Sequence, residues 1–335
     1  MTKKQNDYAP YYRNKNILIT GGSGYLGSSV INALSLVPCR IIVLDVRNDG
    51  LKQIKGQVAD ISLKQGDIKN KGLWLEFLKN IDIVFHFAAQ TSSSLANENP
   101  VSDLEINLLP VVNLIETCHK NKLRPDIIFA GTVTEVGLTD NLPVNEIFND
   151  HPVTVYDINK LASEKYLQYY CNQMGGRSVV LRLANVYGPG VASSSVDRGI
   201  LNLMVRKALK GEDLTVYGEG DFIRDYIYIE DVIKAFLISG ANIDKVKGKY
   251  FVIGSGLGYS IKDMVNTVKD EAARRTGKKS GVNHVPSPDG LSAIEFRNFI
   301  ADSSAFTKAT GWMAEVSLKE GVNKTIDYFL REGKP

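Results

Sequence analysis

The chain has 335 residues, 44% hydrophobic and 23% charged, with a formal net charge of +3 spread along its length. This is the composition of a globular protein with room for one large or two modest domains. It speaks against a dedicated nucleic-acid binder, because no basic stripe stands out beyond Lys278-Lys279 and a few lysine-bearing turns.

At the amino end, MTKKQNDYAPYYRNK has a charged start with no apolar signal-type stretch behind it. Residues 1–14 are therefore expected to be an extension whose Tyr8, Tyr11 and Tyr12 pack on the body or on a partner, or else a loosely ordered leader. From there, apolar runs alternate with helix-period stretches. NILIT (16–20) predicts a strand, YLGSSVINALSLV (25–37) a helix, RIIVLD (40–45) a second strand and IDIVFHFAA (81–89) a later one. Residues 101–121 have helical spacing that Pro110 must kink or break. DIIFAG (126–131) predicts a strand, and 155–174 a long helix stopped by Gly175-Gly176. RSVVLRLANVYG (177–188) begins as a strand. Strands that are nearly all apolar, with helices between them, imply an α/β fold whose parallel sheet is covered on both faces.

The second half is less regular. Helical patterns at 199–210 and 261–275 alternate with short strands such as LTVYGEG and KYFVIGSG. The expected organisation is a sheet domain over 15–188 and a smaller lobe over 189–331 on its carboxyl edge, with a strand and helix near 225–255 returning to the main sheet. No run reaches the roughly 18 apolar residues that span a bilayer. Three cysteines, Cys39, Cys118 and Cys171, show no Cys-x-x-Cys spacing, and an odd, sparse count fits a reducing compartment. A cytoplasmic protein is expected.

Chemistry concentrates at the first strand–helix junction. Gly21, Gly22, Gly24 and Gly27 allow the backbone to approach a pyrophosphate, and the following helix, through Tyr25 and Leu26, points its free amides at the anion. Asp45 ends the next strand, 21 residues after Gly24, where a carboxylate bonds the ribose hydroxyls and repels a 2′-phosphate. This favours NAD over NADP, although Arg47 stands two residues on. Asp67 and Ile68 fall beside the adenine of such a ligand. Farther along, Tyr156 and Lys160 are four apart and share a helix face. A neighbouring ammonium stabilises a phenolate, so the pair makes a base and its tuner. Thr132, at the end of DIIFAGT, supplies a hydroxyl donor for the same substrate oxygen; Thr134 is read as local structure.

Seven stretches together, TGGSGYLGS, VFHFAAQ, AGTVTEVG, YDINK, LRLANVYGPG, RDYIYIEDV and ATGW with SLKEGV, resemble the extended short-chain dehydrogenase/reductase family, specifically its NAD-dependent nucleotide-sugar epimerases and dehydratases. The resemblance runs over about residues 15–331. It implies a Rossmann-type doubly wound parallel sheet with a smaller C-terminal α/β substrate-binding lobe. It implies Tyr156 as catalytic tyrosine, Lys160 as its partner on the nicotinamide ribose, and Thr132 at the family's Ser/Thr position. Ala88, Ala89 and Gln90 correspond to a loop lining the cofactor. Asn185, Arg224 and Arg297 correspond to groups that meet the sugar-nucleotide diphosphate, and Tyr217 to a side chain against the base. Plain alternatives are a turn cap for Asn185, an ion pair of Arg224 with Asp225 or Glu230, a surface charge for Arg297, and core for Tyr217. Residues 190–198 suggest a loop over the substrate, with Arg198 near a phosphate. Helices near 101–121 and 155–174 are where family members pair, so a homodimer is expected.

One departure bears on the reaction. The 4,6-dehydratases read Thr-Asp-Glu-Val-Tyr-Gly at this strand end, whereas this chain reads Thr132-Val133-Thr134-Glu135-Val136-Gly137. Valine and threonine cannot replace the acid and base that eliminate water, and Glu135 is one residue out of place. The expectation is a nucleotide-sugar 4-epimerase working through transient C4 oxidation by bound NAD and a 4-keto intermediate. The alternatives are a 4-ketoreductase, a decarboxylase or an atypical 4,6-dehydratase, and remotely a non-catalytic dinucleotide sensor.

Overall fold

The computed structural model describes residues 8–47, 54, 58–191, 199–288 and 290–333. Twelve strands are present among them: β1 (Asn16–Thr20), β2 (Arg40–Asp45), β3 (Asp60–Gln65), β4 (Ile83–His86), β5 (Asp126–Thr132), β6 (Arg177–Leu183), β7 (Asn185–Tyr187), β8 (Leu214–Tyr217), β9 (Ile223–Tyr228), β10 (Lys249–Ile253), β11 (Gly258–Ser260) and β12 (Val282–Val285). Seven form a parallel sheet in the order β10-β6-β5-β4-β1-β2-β3. This is the doubly wound arrangement, with the strand order reversing between β1 and β4. The carboxyl ends of parallel strands share one edge, so a crevice opens there at the reversal.

Alternation along each strand fills two layers. Ile17, Ile19, Phe85, Ile128, Val179 and Leu181 face the helices Tyr25–Leu34 and Ile229–Ala241. Their sequence neighbours Leu18, Val84, Ile127, Phe129 and Val180 face Lys71–Leu78, Leu109–Lys120 and Val155–Met174. Pro110 breaks the 101–121 stretch into Pro100–Asn107 and Leu109–Lys120. It then sits in the first turn of the second helix, where its missing N–H is not needed.

Tyr8–Tyr12 pack against the opposite, amino edge of the sheet. Tyr12 is fully buried and donates its hydroxyl to the Leu237 carbonyl at 2.8 Å, and Tyr11 donates to Asp126 at 2.9 Å.

The rest of the second half builds a lobe over the carboxyl edge. A three-stranded sheet, β11-β9-β7, and a two-stranded sheet, β12-β8, are its frame. The β7–β9 and β9–β11 registers set Asn185 opposite Tyr226 and Arg224 opposite Tyr259. By alternation, those four share one face and Asp225 takes the other. Among the described residues, no helix is long and apolar enough to cross a membrane.

Candidate active site

The glycine junction is built by close approach. Gly21 has φ +69°, and a Cβ there would lie 2.5 Å from the Ala88 nitrogen. The turn after β1 therefore touches the backbone of the loop after β4, whose Ala88 N–H reaches the Thr20 hydroxyl at 3.3 Å. A Cβ on Gly27 would lie 2.3 Å from the Gly21 carbonyl, so the helix start can seat itself on the turn only as glycine. That helix begins at Gly24 without a side-chain cap, leaving the first-turn amides of Tyr25 and Leu26 to an anionic ligand. The Tyr25 ring lies away from the turn, and its hydroxyl donates to the Gly188 carbonyl at 2.9 Å.

Asp45 ends β2 beside the glycine turn. Its carboxylate accepts the backbone N–H of Ser23 and of Arg47, both at 2.9 Å. A carboxylate has about four acceptor sites, so two are left for a pair of vicinal hydroxyls. The Asp45 carbonyl takes the Gly66 N–H at 2.9 Å, bringing Asp67 and Ile68 alongside. Asp67 accepts the Lys69 N–H, and Ile68 is buried with its carbonyl on the Trp74 indole. Bare helix amides, glycines where a Cβ would collide, and a carboxylate at the β2 end fit a dinucleotide.

Gln90 differs from a cofactor-lining side chain. Its amide nitrogen donates to Asp103 and to the Ser92 carbonyl, both at 2.8 Å. Asp103 also takes the side-chain amides of Asn107 at 2.8 Å and Asn159 at 2.7 Å. This buried cluster fixes the loop against the helices Pro100–Asn107 and Val155–Met174, so what the loop turns to the crevice is the backbone of Ala88 and Ala89.

Thr132, at the end of β5, and Tyr156 and Lys160, in the first turns of the 155–174 helix, are all nearly buried. Lys160 Nζ lies 3.8 Å from the Phe129 ring centroid, a cation–π seat. Phe129 stacks in turn on His86, whose ring bonds the Thr20 hydroxyl at 2.8 Å. Burial, helped by the charge of Lys160, pulls the His86 pKa down to about 3, so the imidazole beneath the crevice is neutral. Asp157, beside Tyr156, accepts the Thr134 hydroxyl, and Thr134 lies 2.8 Å from the Thr132 hydroxyl. His86, Thr134 and Asp157 were not singled out in the sequence as site residues; the only sequence signal was their place within or beside the quoted motifs.

Glu135 is turned away from the crevice. One oxygen takes the Thr132 N–H at 3.0 Å and the other lies 3.1 Å from Arg182 Nε. Arg182 is fully buried, bonds Glu164 at 2.8 Å and Asp150 at 2.6 Å, and stacks on Tyr250 at 3.8 Å. Burial drives the Glu135 carboxyl well above the usual range despite Arg182.

In the lobe, Arg224 is held by backbone carbonyls of Ile223, Glu295 and Arg297, not by Asp225 or Glu230. Asp225 is taken up by Ser255, Gly256 and Ala301, and Glu230 by Lys324. Burial lowers the Arg224 pKa. Arg297 is buried rather than a surface charge, with one N–H on the Ile294 carbonyl at 2.8 Å. Both guanidinium charges bear on Tyr226, whose pKa burial raises to about 12 against their pull. The Asn185 side-chain oxygen is buried with no hydrogen-bond partner. Tyr217 is 50% exposed at the end of β8, so it is not core. Arg198 and most of the 190–198 loop lie outside the described residues.

The NAD dependent epimerase/dehydratase family matches residues 17–254. The chain belongs to that family. It is an NAD-dependent enzyme. It is similar to the UDP-glucose 4-epimerase of Mycolicibacterium smegmatis, 25% identical with 95% of this chain and 99% of the relative covered. Among solved structures it is similar to the Thermotoga maritima UDP-glucose 4-epimerase with UDP-glucose, at 29% identity and TM-score 0.84, covering 95% of this chain and 99% of that one. The Thermus thermophilus UDP-glucose 4-epimerase complex with NAD matches at 26% identity and TM-score 0.81, covering 94% and 99%.

Proposed function

We propose that this epimerase/dehydratase-family chain is a nucleotide-sugar 4-epimerase. The observation that carries the reading is the end of β5. There Thr132 is linked through Thr134 to Asp157, the residue beside Tyr156, while the nearest strand-end carboxyl, Glu135, is committed to the Thr132 N–H and the Arg182 cluster. The site thus has hydroxyl groups and a cation to hold an alcohol oxygen, and Glu135 is not positioned as the acid–base group that elimination of water needs. Epimerase names and ligands among the relatives support the substrate class.

Tyr156 removes the proton of the sugar C4 hydroxyl, with Lys160 stabilising the phenolate, and Thr132 bonds the same oxygen. NAD, when bound, supplies a reversible two-electron acceptor. Tyr25, Leu26 and Asp45 hold the dinucleotide, and Arg224, Arg297 and Asn185 hold the substrate diphosphate, leaving the sugar ring to turn over. Tyr217 offers an exposed ring to the base. The working unit is a homodimer: Val101 and Leu104 on the 100–107 helix, and Ile158, Tyr166 and Tyr169 on the 155–174 helix, leave apolar surface exposed on packed neighbours.

The test is incubation of the purified protein with a panel of UDP-, dTDP-, GDP- and CDP-sugars, read by product-sugar analysis without added cofactor. Conversion to the C4 epimer supports the reading. Consumption of free NADH with each turnover, release of CO₂, or a stable keto product would replace it with a reductase, decarboxylase or dehydratase.

A further inference from the structure

Resting on the reading that Arg224 and Arg297 hold the substrate diphosphate, the geometry points to Asp225 as the positioning residue that sets those two anchors against the main sheet. Strand alternation turns Arg224 and Asp225 to opposite faces of β9. On its own face the fully buried Asp225 side chain gathers four bonds. One oxygen takes the Ser255 backbone N–H at 2.8 Å and the Ser255 hydroxyl at 2.7 Å. The other takes the N–H groups of Gly256 at 3.0 Å and Ala301 at 3.1 Å.

These partners belong to two different parts of the fold. Ser255 and Gly256 lie in the connection that leaves β10, an edge strand of the parallel sheet, for β11 of the lobe. Gly254, at the start of that connection, permits the close approach: a Cβ there would lie 2.6 Å from the Asp225 carboxyl. Ala301 follows Arg297 on a segment that runs beside β9. There the Asn298 side chain accepts the Ile223 N–H at 2.8 Å, and the Phe299 N–H donates to the Ile223 carbonyl at 3.0 Å. From the opposite face, Arg224 holds the same segment through the Glu295 and Arg297 carbonyls. Asp225 thus joins three things: the strand that carries Arg224, the segment that carries Arg297, and the chain leaving the sheet that forms the cofactor crevice. The spacing of the diphosphate anchors from that crevice runs through its carboxyl group.

Asparagine is the informative change. Three of the four donors are backbone N–H groups, which can only donate, and they reach both oxygens. Whichever way an asparagine amide turns, its NH₂ faces an N–H that it cannot accept, and the connection or the 301 segment must move off. Parent and Asp225→Asn, both loaded with NAD, are titrated calorimetrically with UDP, dTDP, GDP and CDP in turn. A nucleoside diphosphate that binds the parent should bind Asp225→Asn at least about tenfold more weakly, as an unmade buried bond dictates. NAD, titrated into each protein separately, should bind both alike. That selectivity marks a positioning role, because a general loss of structure weakens both ligands. Ser255→Ala removes only the hydroxyl bond and covers the case in which Asp225→Asn does not fold; it should weaken the nucleotide about threefold with NAD unchanged. Unchanged nucleotide affinity in the folded variant, or equal loss for nucleotide and NAD, overturns the role of Asp225. Failure of all four nucleotides to bind the parent removes instead the diphosphate reading on which it rests.

Discussion

Two glycines with nearly the same backbone angle separate strain from collision. Gly21 has φ +69° and Gly175 has φ +66°. A Cβ on Gly175, at the end of the long helix, meets nothing within 4 Å, whereas one on Gly21 meets Ala88 nitrogen at 2.5 Å and Ala88 Cα at 2.7 Å. Alanine at either position incurs the left-handed penalty of about 1–2 kcal/mol. At Gly21 the strand-end turn must also move off the β4 loop, and forced overpacking adds about 1–3 kcal/mol. Gly175→Ala should therefore lower stability by about 1–2 kcal/mol and leave NAD affinity unchanged. Gly21→Ala should lose about 2–5 kcal/mol, and because the displaced backbone is the wall of the crevice, NAD should bind at least about tenfold more weakly, a further 1.4 kcal/mol. Thermal unfolding with and without NAD, together with calorimetric titration of NAD, measures both quantities. Equal losses of stability in the two variants, with NAD affinity intact in Gly21→Ala, would refute the account of the junction.

Tyr156→Phe should reduce turnover by about 10²- to 10⁴-fold, the usual worth of a general base, while calorimetry shows NAD still bound; substantial residual turnover would move the base elsewhere. His86, whose folded pKa falls to about 3 against about 6.5 unfolded, binds fewer protons when folded. Its contribution is thus complete above about pH 6.5 and is lost as the pH falls through that window. Its ring resonances, assigned by comparison with His86→Gln, should stay those of neutral imidazole at about pH 5, and a midpoint near 6.5 in the folded protein would contradict the buried placement. Sedimentation should find a species of twice 36.9 kDa. Tyr169→Asp combined with Leu104→Asp should release monomer, and a mass unmoved by those charges would place the subunit contact on another face.

Elements held by short-range rules were readable from the chain alone. The glycine turn, the proline break at 110 and the Gly175 stop each follow from the allowed angles of one or two residues. The edge strand β3, DISLKQ, was not readable, because it borders one neighbour only and is largely half-buried or exposed, so it carries no apolar signature. The inward turn of Gln90 was equally hidden, since Asp103 and Asn107 reach it from the 100–107 helix and Asn159 holds Asp103 from the 155–174 helix. Arg182 looked like one more strand residue in LRLANVYG. Only the sheet shows it as the buried cation that gathers Asp150, Glu164 and Glu135. The bond from Thr134 to Asp157 likewise depends on the packing of a helix against the end of a strand.

The same long-range placement bears on why a family member with an acidic residue beside its strand-end threonine need not eliminate water. Elimination calls for an acid and a base that face the sugar and exchange protons with it. Glu135 caps the Thr132 N–H and faces Arg182, inside a cluster where one guanidinium serves three carboxyls. Bringing it to the crevice would break that bond and draw the carboxyl out of a fully buried site. Thr134, at the neighbouring position, is a hydroxyl whose proton is already committed to Asp157. With both positions so engaged, the arrangement supports the proposed reversible oxidation at a carbinol carbon, in which Tyr156 would handle the proton, over elimination of water.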